Sequence, residues 1–224
     1  MSKLLLLDEA LKYELKLTLK HNGKMKGLGS LSTSVLLNEQ CKKNALIEGS
    51  ICQKCYAIKQ LKCFKKNFPE AMEHNTKILT SGIIPKKYLP VINFKYFRFE
   101  AFGDLNNTTQ FINYINICNK NKSTNFAIWT KNPHIIDEVI NELGYKKPKN
   151  LIIIVSSLFI NNQFNLDLYH YSKRYSFIDK IFTVYDKNYI KENDININCG
   201  SKNCAGCLIC YKKNKIKYIN EVLK

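Results

Sequence analysis

The chain has 224 residues, 35 Lys and Arg against 18 Asp and Glu for a net charge of +17, and 45% hydrophobic residues with 9 Gly and 5 Pro. That length fits one domain, or one domain with a small appendage, and that composition excludes a disordered or collagen-like chain. No apolar run approaches the roughly 18 residues of a membrane span, and MSKLLLLDEA turns acidic at Asp8 and Glu9 too early for a secretory signal, so a cytoplasmic, non-membrane protein is expected.

Residues 1–12 read as a short helix. From Tyr13, YELKLTLK alternates as a half-buried strand does. Asn22-Gly23 offers a tight turn and KMKGLGSLSTSVLL continues as the partner, which predicts an N-terminal β-hairpin. A cysteine loop follows, from Cys41 to about Cys63. A helix is expected from Pro69, in its first turn, to Gly82 at its end.

The pattern then becomes regular. A strand is expected over 94–104, a helix over 108–121, a strand over 126–133 stopped by Pro133, and a helix over 134–144 ended by Gly144. LIIIVSS (151–157) is a continuous apolar strand of the kind buried on both faces. NLDLYHYSKRY (165–175) reads as a helix and 178–186 as another strand. The strand centres recur about every 26 to 29 residues, the length of one βα unit, and right-handed crossovers make such a sheet parallel. A closed eight-stranded barrel takes about 250 residues, so this chain has room for about five or six strands. The expected fold is α/β: a partial (β/α) barrel of parallel strands over residues 1–198, opening with the hairpin, and a Cys-rich C-terminal cap over 199–224.

Almost all the cations are lysine; Arg98 and Arg174 are the only arginines. Base-reading proteins lean on the planar fork of arginine. The abundance of Lys, Asn, Ile and Tyr also matches an AT-rich coding sequence. The charge therefore implies no more than weak, sequence-indifferent contact with nucleic acid through a lysine surface.

Nine cysteines carry the functional argument, and they are clustered. Cys41, Cys52 and Cys55 form C-x10-C-x2-C; Cys199, Cys204, Cys207 and Cys210 form C-x4-C-x2-C-x2-C. In a cytoplasmic chain such spacing points to metal or redox chemistry before disulfides. Four thiols suit a closed site, either a structural zinc or a [4Fe–4S] cluster. Three thiols with no histidine at knuckle spacing suit a [4Fe–4S] cluster with one iron open. One or two clusters are expected, with zinc as the alternative. Cys118 shares the apolar face of a helix with Phe111 and Ile115 and reads as a packing residue; Cys63 stays open between packing and ligation.

Barrels gather their chemistry at the C-terminal ends of the strands. The polar residues expected there are Glu100, Gly103 and Asp104; Thr130, Lys131 and Asn132; Ser156 and Ser157; and Tyr185 and Asp186. Trp129 reads as core.

The order CQKCYA (52–57), RFEAFGD (98–104), FAIWTKNP (126–133), VSS (155–157) and CAGCLIC (204–210) resembles the phage gene-product-eighty-eight family over about residues 24 to 213. That resemblance implies a phage or prophage origin, hence the host cytoplasm, and no particular reaction. A wider likeness is to radical S-adenosylmethionine enzymes, partial barrels with a three-cysteine cluster loop after the first strand. Cys41, Cys52 and Cys55 are similar to that loop, Phe102-Gly103-Asp104 to the GGE-type turn that grips the cofactor's amino group, and Thr130 and Ser156 to later contacts. The family's C-x3-C-x2-C is stretched here, and one glycine stands where two are usual. The resemblance implies S-adenosylmethionine bound near Glu100, Gly103, Asp104, Thr130, Lys131 and Ser156, an auxiliary cluster on the terminal cysteines, and an unidentified substrate. The alternatives are an iron–sulfur protein without that cofactor and a zinc-stapled nucleic-acid-binding phage protein.

Overall fold

The computed structural model describes residues 11–63, 67–165, 167, 174–200 and 203–223. The helices expected at 1–12 and 165–175 lie almost wholly outside them, as does the side chain of Cys63. Among the described residues no helix is long and apolar enough to cross a membrane.

Six parallel strands form one open sheet in chain order: β1 (Gly29–Leu31), β2 (Tyr96–Phe99), β3 (Asn125–Thr130), β4 (Leu151–Ser156), β5 (Lys180–Tyr185) and β6 (Tyr218–Val222). Between them lie α1 (Glu39–Leu46), α2 (Tyr56–Cys63), α3 (Asn67–Ser81), α4 (Thr108–Lys120), α5 (Pro133–Asp137), α6 (Lys187–Glu192) and α7 (Cys204–Cys207). Pro133 opens α5, and a π-helical turn over Glu138–Glu142 extends it. Side-chain caps mark other helix starts: Asn38 accepts from Cys41 N, Asn107 from Gln110 N, and Asp186 from Asn188 N and Tyr189 N.

The period-two pattern of the strands divides two cores. Phe97, Phe99, Phe126, Ile128, Leu151, Ile153, Val155 and Ile181 pack with α3, α4 and α5 residues such as Leu79, Phe111, Tyr114, Ile136 and Val139. Ala127, Ile152, Ile154 and Ile219 face the other way, with Tyr96, Trp129 and Phe182 half-buried beside them. What covers that second face is the terminal cysteine segment, through Cys199, Cys204, Ala205, Leu208, Ile209, Cys210 and Tyr211. β4, apolar throughout, is buried at every position. The segment expected as a cap thus lies on the sheet, and the chain after it supplies the edge strand β6.

The described residues do not show the expected hairpin as a two-stranded ladder. Residues 13–20 meet β1 only at an antiparallel bridge between Thr18 and Ser30. β1 gives its other edge to β2 in parallel, and Gly23–Met25 forms a 3-10 turn where a two-residue turn was expected. The Asn75 amide takes up the backbone of Lys16, accepting from its N–H at 2.8 Å and donating to its carbonyl at 2.9 Å. The alternation of Tyr13, Leu15 and Leu17 reflects burial against the helix-side core.

Gly103 is fixed by close approach. A Cβ there would stand 2.2 Å from Glu100 Oε2 and 2.7 Å from the Thr33 carbonyl. The backbone of Thr33 cannot yield as a flexible side chain would. Gly103→Ala should lower stability by about 2 kcal/mol, or roughly 4–8 °C in Tm for a chain of this size. Unchanged thermal melting would contradict this packing.

Candidate metal centres

The first thiol group is assembled by local capping and one long-range tie. Asn38 holds Cys41 N at 2.9 Å and donates through Nδ2 to the carbonyls of Asp104 at 3.0 Å and Leu105 at 3.3 Å. Thus one side chain seats the start of α1 against the turn after β2. Ser50 Oγ accepts from Cys52 N at 3.1 Å and donates to the Asn44 carbonyl at 2.6 Å. Ile51 N donates to the Leu158 carbonyl at 2.9 Å, which docks the loop on the residues after β4. The Tyr56 hydroxyl donates to the Ala101 carbonyl. Cys41, Cys52 and Cys55 stand half-buried close enough to feel one another's charge. Burial raises the pKa of Cys41 and Cys52; Asp104 and the neighbouring thiols add to the rise at Cys41, and Lys131 opposes it.

The rim residues divide. Glu100 is 2% exposed and turned toward α4. Its φ of 56° breaks the strand alternation, so the carboxylate leaves the face of Arg98 and accepts from Thr33 N, Thr33 Oγ1, Gln110 Nε2 and the Tyr114 hydroxyl. All four partners donate. The space beside Gly103 is filled by Glu100 and Thr33, so this glycine serves internal packing.

Asp104 ties two strand ends together. It accepts from Thr130 Oγ1 at 2.5 Å, Leu105 N at 2.7 Å and Lys131 N at 2.9 Å. Thr130 Oγ1 in turn accepts from Asn132 N. Lys131 is half-buried. Burial works against its charge, yet Cys52, Asp104, Tyr56 and Cys41 hold its pKa above the ordinary value. Asn132 Oδ1 is buried without a hydrogen-bond partner. Ser156 is buried at the end of β4, while Ser157 pairs with Thr183 at 3.0 Å. Asp186 caps α6, and Tyr185 is buried. The structure therefore brings Asp104, Thr130 and Lys131 to the first thiol group, and commits Glu100 and Gly103 elsewhere.

The terminal thiols lie on the opposite face from the βα helices. Asn203 caps α7 by accepting from Ala205 N and Gly206 N, and Leu208 ends it at φ 56°. Cys199, Cys204 and Cys210 each sit within electrostatic reach of Cys207. Burial raises all three, with Cys210 pushed up to about 12. Lys24 Nζ lies 3.3 Å from Cys199 Sγ and 2.8 Å from Glu221 Oε1. Arg98 stacks over Trp129, 4.1 Å from the ring centroid, beside Tyr211 and near Cys204 and Cys210. Its Nε is buried without a hydrogen-bond partner. Cys118 is fully buried in the helix-side core.

Compared with known protein families, curated proteins and solved structures, the chain matches none. The functional reading stands on the two thiol groups. Their donor chemistry fits metal–thiolate binding: four soft ligands in one segment, three in the other, each beside a cation. Among the described residues no three His, Cys, Asp or Glu side chains stand where one metal ion could bind them all. A single zinc at about 2.3 Å from each sulfur would have to draw the thiols closer together than they stand here.

Lys24, Arg98 and Tyr211 were not reached by sequence reasoning as parts of the terminal site. The one available signal was Arg98, an arginine within an otherwise aromatic strand.

Burial pushes the Glu100 carboxyl up to about 7, against hydrogen bonds from Tyr114 and Thr33 that favour its ionised form. A carboxyl raised above its unfolded value near 4.3 binds more protons in the folded state. Its contribution to stability is fully present below about pH 4.3 and is lost as pH rises through about 7. Glu100→Gln should remove this dependence. The stability of the wild type relative to the variant, measured by urea denaturation, should therefore fall between pH 4.5 and 7.5. A difference independent of pH would show that the four donors keep the carboxylate ionised throughout.

Proposed function

We propose that this chain is an iron–sulfur protein of radical S-adenosylmethionine type, acting on a substrate the sequence does not name. The observation that carries the reading is the seating of Cys41, Cys52 and Cys55 at the strand ends that also present Asp104 and Lys131. A [4Fe–4S] cluster there would have three protein thiolates and one iron for a small chelating ligand. When bound, such a cluster supplies the electron for reductive cleavage of the cofactor. The sheet order supports a partial barrel, because sequential parallel strands with helices on one face are what such a barrel requires. The motif order shared with the phage family supports a phage or prophage origin.

The chain's own residues have definable parts in this reading. Lys131 places a positive charge beside Cys41 and Cys52, where an anionic cluster and a ligand carboxylate would both benefit. Asp104 fixes Thr130 and the Lys131 backbone, which sets the position of that cation, and offers negative charge to a ligand ammonium. Asn132 Oδ1 adds an acceptor without a donor at the same strand end. The half-burial of the thiols limits water around the loop.

A second reading keeps the cluster and drops the cofactor, leaving electron transfer or a structural role. It is favoured by the engagement of Glu100, Gly103 and Thr130 in internal contacts, which leaves fewer free groups than the resemblance implies.

Anaerobic protein should contain iron and sulfide. The reduced first cluster should shift its electron paramagnetic resonance spectrum on addition of S-adenosylmethionine. Cys52→Ser should remove that signal and spare the terminal centre, and Cys118→Ser should leave both. An unshifted spectrum in protein with a complete first cluster would exclude the radical enzyme in favour of the second reading. Protein that takes up no iron under reducing reconstitution would exclude both.

A further inference from the structure

The terminal thiols are surrounded by more positive charge than the nearby carboxylates balance. Lys24 pairs with Glu221 at 2.8 Å. Arg98 lies on the same sheet face with no carboxylate partner among the described residues, its Nη1 directed at Met25 Sδ at 3.9 Å and its Nε buried without an acceptor among them. Lys180 is 2% exposed and, among the described residues, donates to neutral oxygens, Asn214 Oδ1 at 2.7 Å and the Ile216 carbonyl at 2.6 Å. Its sequence neighbour Asp179 is taken by Lys147 at 2.5 Å and by Ile153 N at 2.7 Å. Asn214 Nδ2 reaches back to the Ile209 carbonyl at 3.3 Å, so Lys180 anchors the loop that carries Cys210.

A buried donor without an acceptor costs about 1–3 kcal/mol, and a buried cation without an anion costs more. An arrangement holding both calls for a missing negative partner. Around Arg98 stand Trp129 and Met25, with Tyr56, Tyr211, Cys210, Cys204 and His21 within electrostatic reach. Four thiolates around a dication, whether zinc or an oxidised cubane core, carry a net charge of about −2.

We propose that Arg98 and Lys180 form a cationic seat for an anionic metal–thiolate group held by Cys199, Cys204, Cys207 and Cys210. In this arrangement Arg98 Nε–H donates to one of that group's sulfurs. The proposal rests on reading the terminal cysteines as a metal centre, and it holds for zinc and for iron alike because it depends on the group's charge. Trp129 keeps the guanidinium in place by stacking beneath it. The segment after β5 and the strand β2 thereby meet through the bound group.

The test uses the full chain with Cys41→Ser and Cys52→Ser, so that only the terminal thiols take metal, and zinc(II) as the probe. Chelator-stripped and zinc-loaded protein are compared by thermal melting, and zinc affinity is measured by competition with a chromogenic chelator. In this background, Arg98→Met should bind zinc of the order of 100-fold more weakly. Its metal-free form should melt at the same temperature or higher, because the buried unpaired donor is gone. A purely structural arginine would do the reverse, lowering the metal-free melting temperature and leaving zinc affinity unchanged; that result overturns the proposal. Lys180→Met provides the second variant and is read on zinc affinity alone, because it also frees Asn214 and the Ile216 carbonyl; it should bind zinc more weakly, and an unaltered affinity overturns its part in the seat. Failure of the parent chain itself to bind zinc or reconstituted iron at these thiols would overturn the metal-centre reading and this inference with it. Normal binding by the parent with unaltered affinity in both variants would overturn this inference alone.

Discussion

Parallel strands laid down in sequence order, each joined to the next by a crossover of the same hand, send their connecting helices to one face of the sheet. This chain keeps the strand order through all six strands, and α3, α4 and α5 pack on one face, while the connection from β5 to β6 carries the cysteine segment across the other. A parallel sheet is stable only with both faces covered, so the second face needs another source of cover. Here it is the cysteine segment with Tyr211, lying over Ala127, Trp129, Ile152 and Ile154. The fold therefore places four thiols where a doubly wound sheet would place a second layer of helices. The same constraint gathers all C-terminal strand ends at one edge, where the first three thiols sit.

That edge is built around two buried carboxylates with different work. Glu100 closes the inner side, receiving four donors from the Thr33 segment and α4. Asp104, four residues on, ties the ends of β2 and β3 and carries, through its carbonyl, the Asn38 amide that seats Cys41. Gly103 stands between them because no Cβ fits against Glu100 and Thr33. The chemistry of the rim thus rests on packing. Loss of Glu100 would loosen the turn that positions Asp104, and with it Lys131 and the cysteine loop.

The sequence was most legible where burial is one-sided or complete. The apolar run at 151–157 and the helices after Pro69 and Thr108 stand in the structure within a residue or two of their expected bounds. The grouping of the cysteines was legible because residues within a short loop stay near one another in any fold. Three features were not. The alternation at 13–20 records one buried face and carries no information about the partner, which is an Asn75 side chain in α3. Glu100 departs from its expected side because a single residue at positive φ reverses the alternation, and only glycine would have announced that in sequence. Arg98, Lys24 and Lys180 meet the terminal thiols through strand register and a distant turn, and neither can be read from spacing along the chain.

The energetics of the second face follow from what lies on it. The terminal segment offers few large apolar side chains, and its thiols are only half-buried, so hydrophobic burial there is modest. Beneath it lie a guanidinium with an unpaired Nε and a buried ammonium held by neutral oxygens. Each taken alone disfavours covering the sheet at this place. The metal–thiolate group proposed for these cysteines would reverse both at once, since it would cross-link the segment and supply the negative charge the cations lack. Metal-binding energy there would be folding energy, delivered at the point where the strand order left the sheet bare. The edge strand β6 follows this segment in the chain and pairs with β5, so completion of the sheet and occupation of the thiols would be coupled through the seven residues of loop between Cys210 and the start of the strand at Tyr218, with Lys180 and Asn214 as the hinge between them.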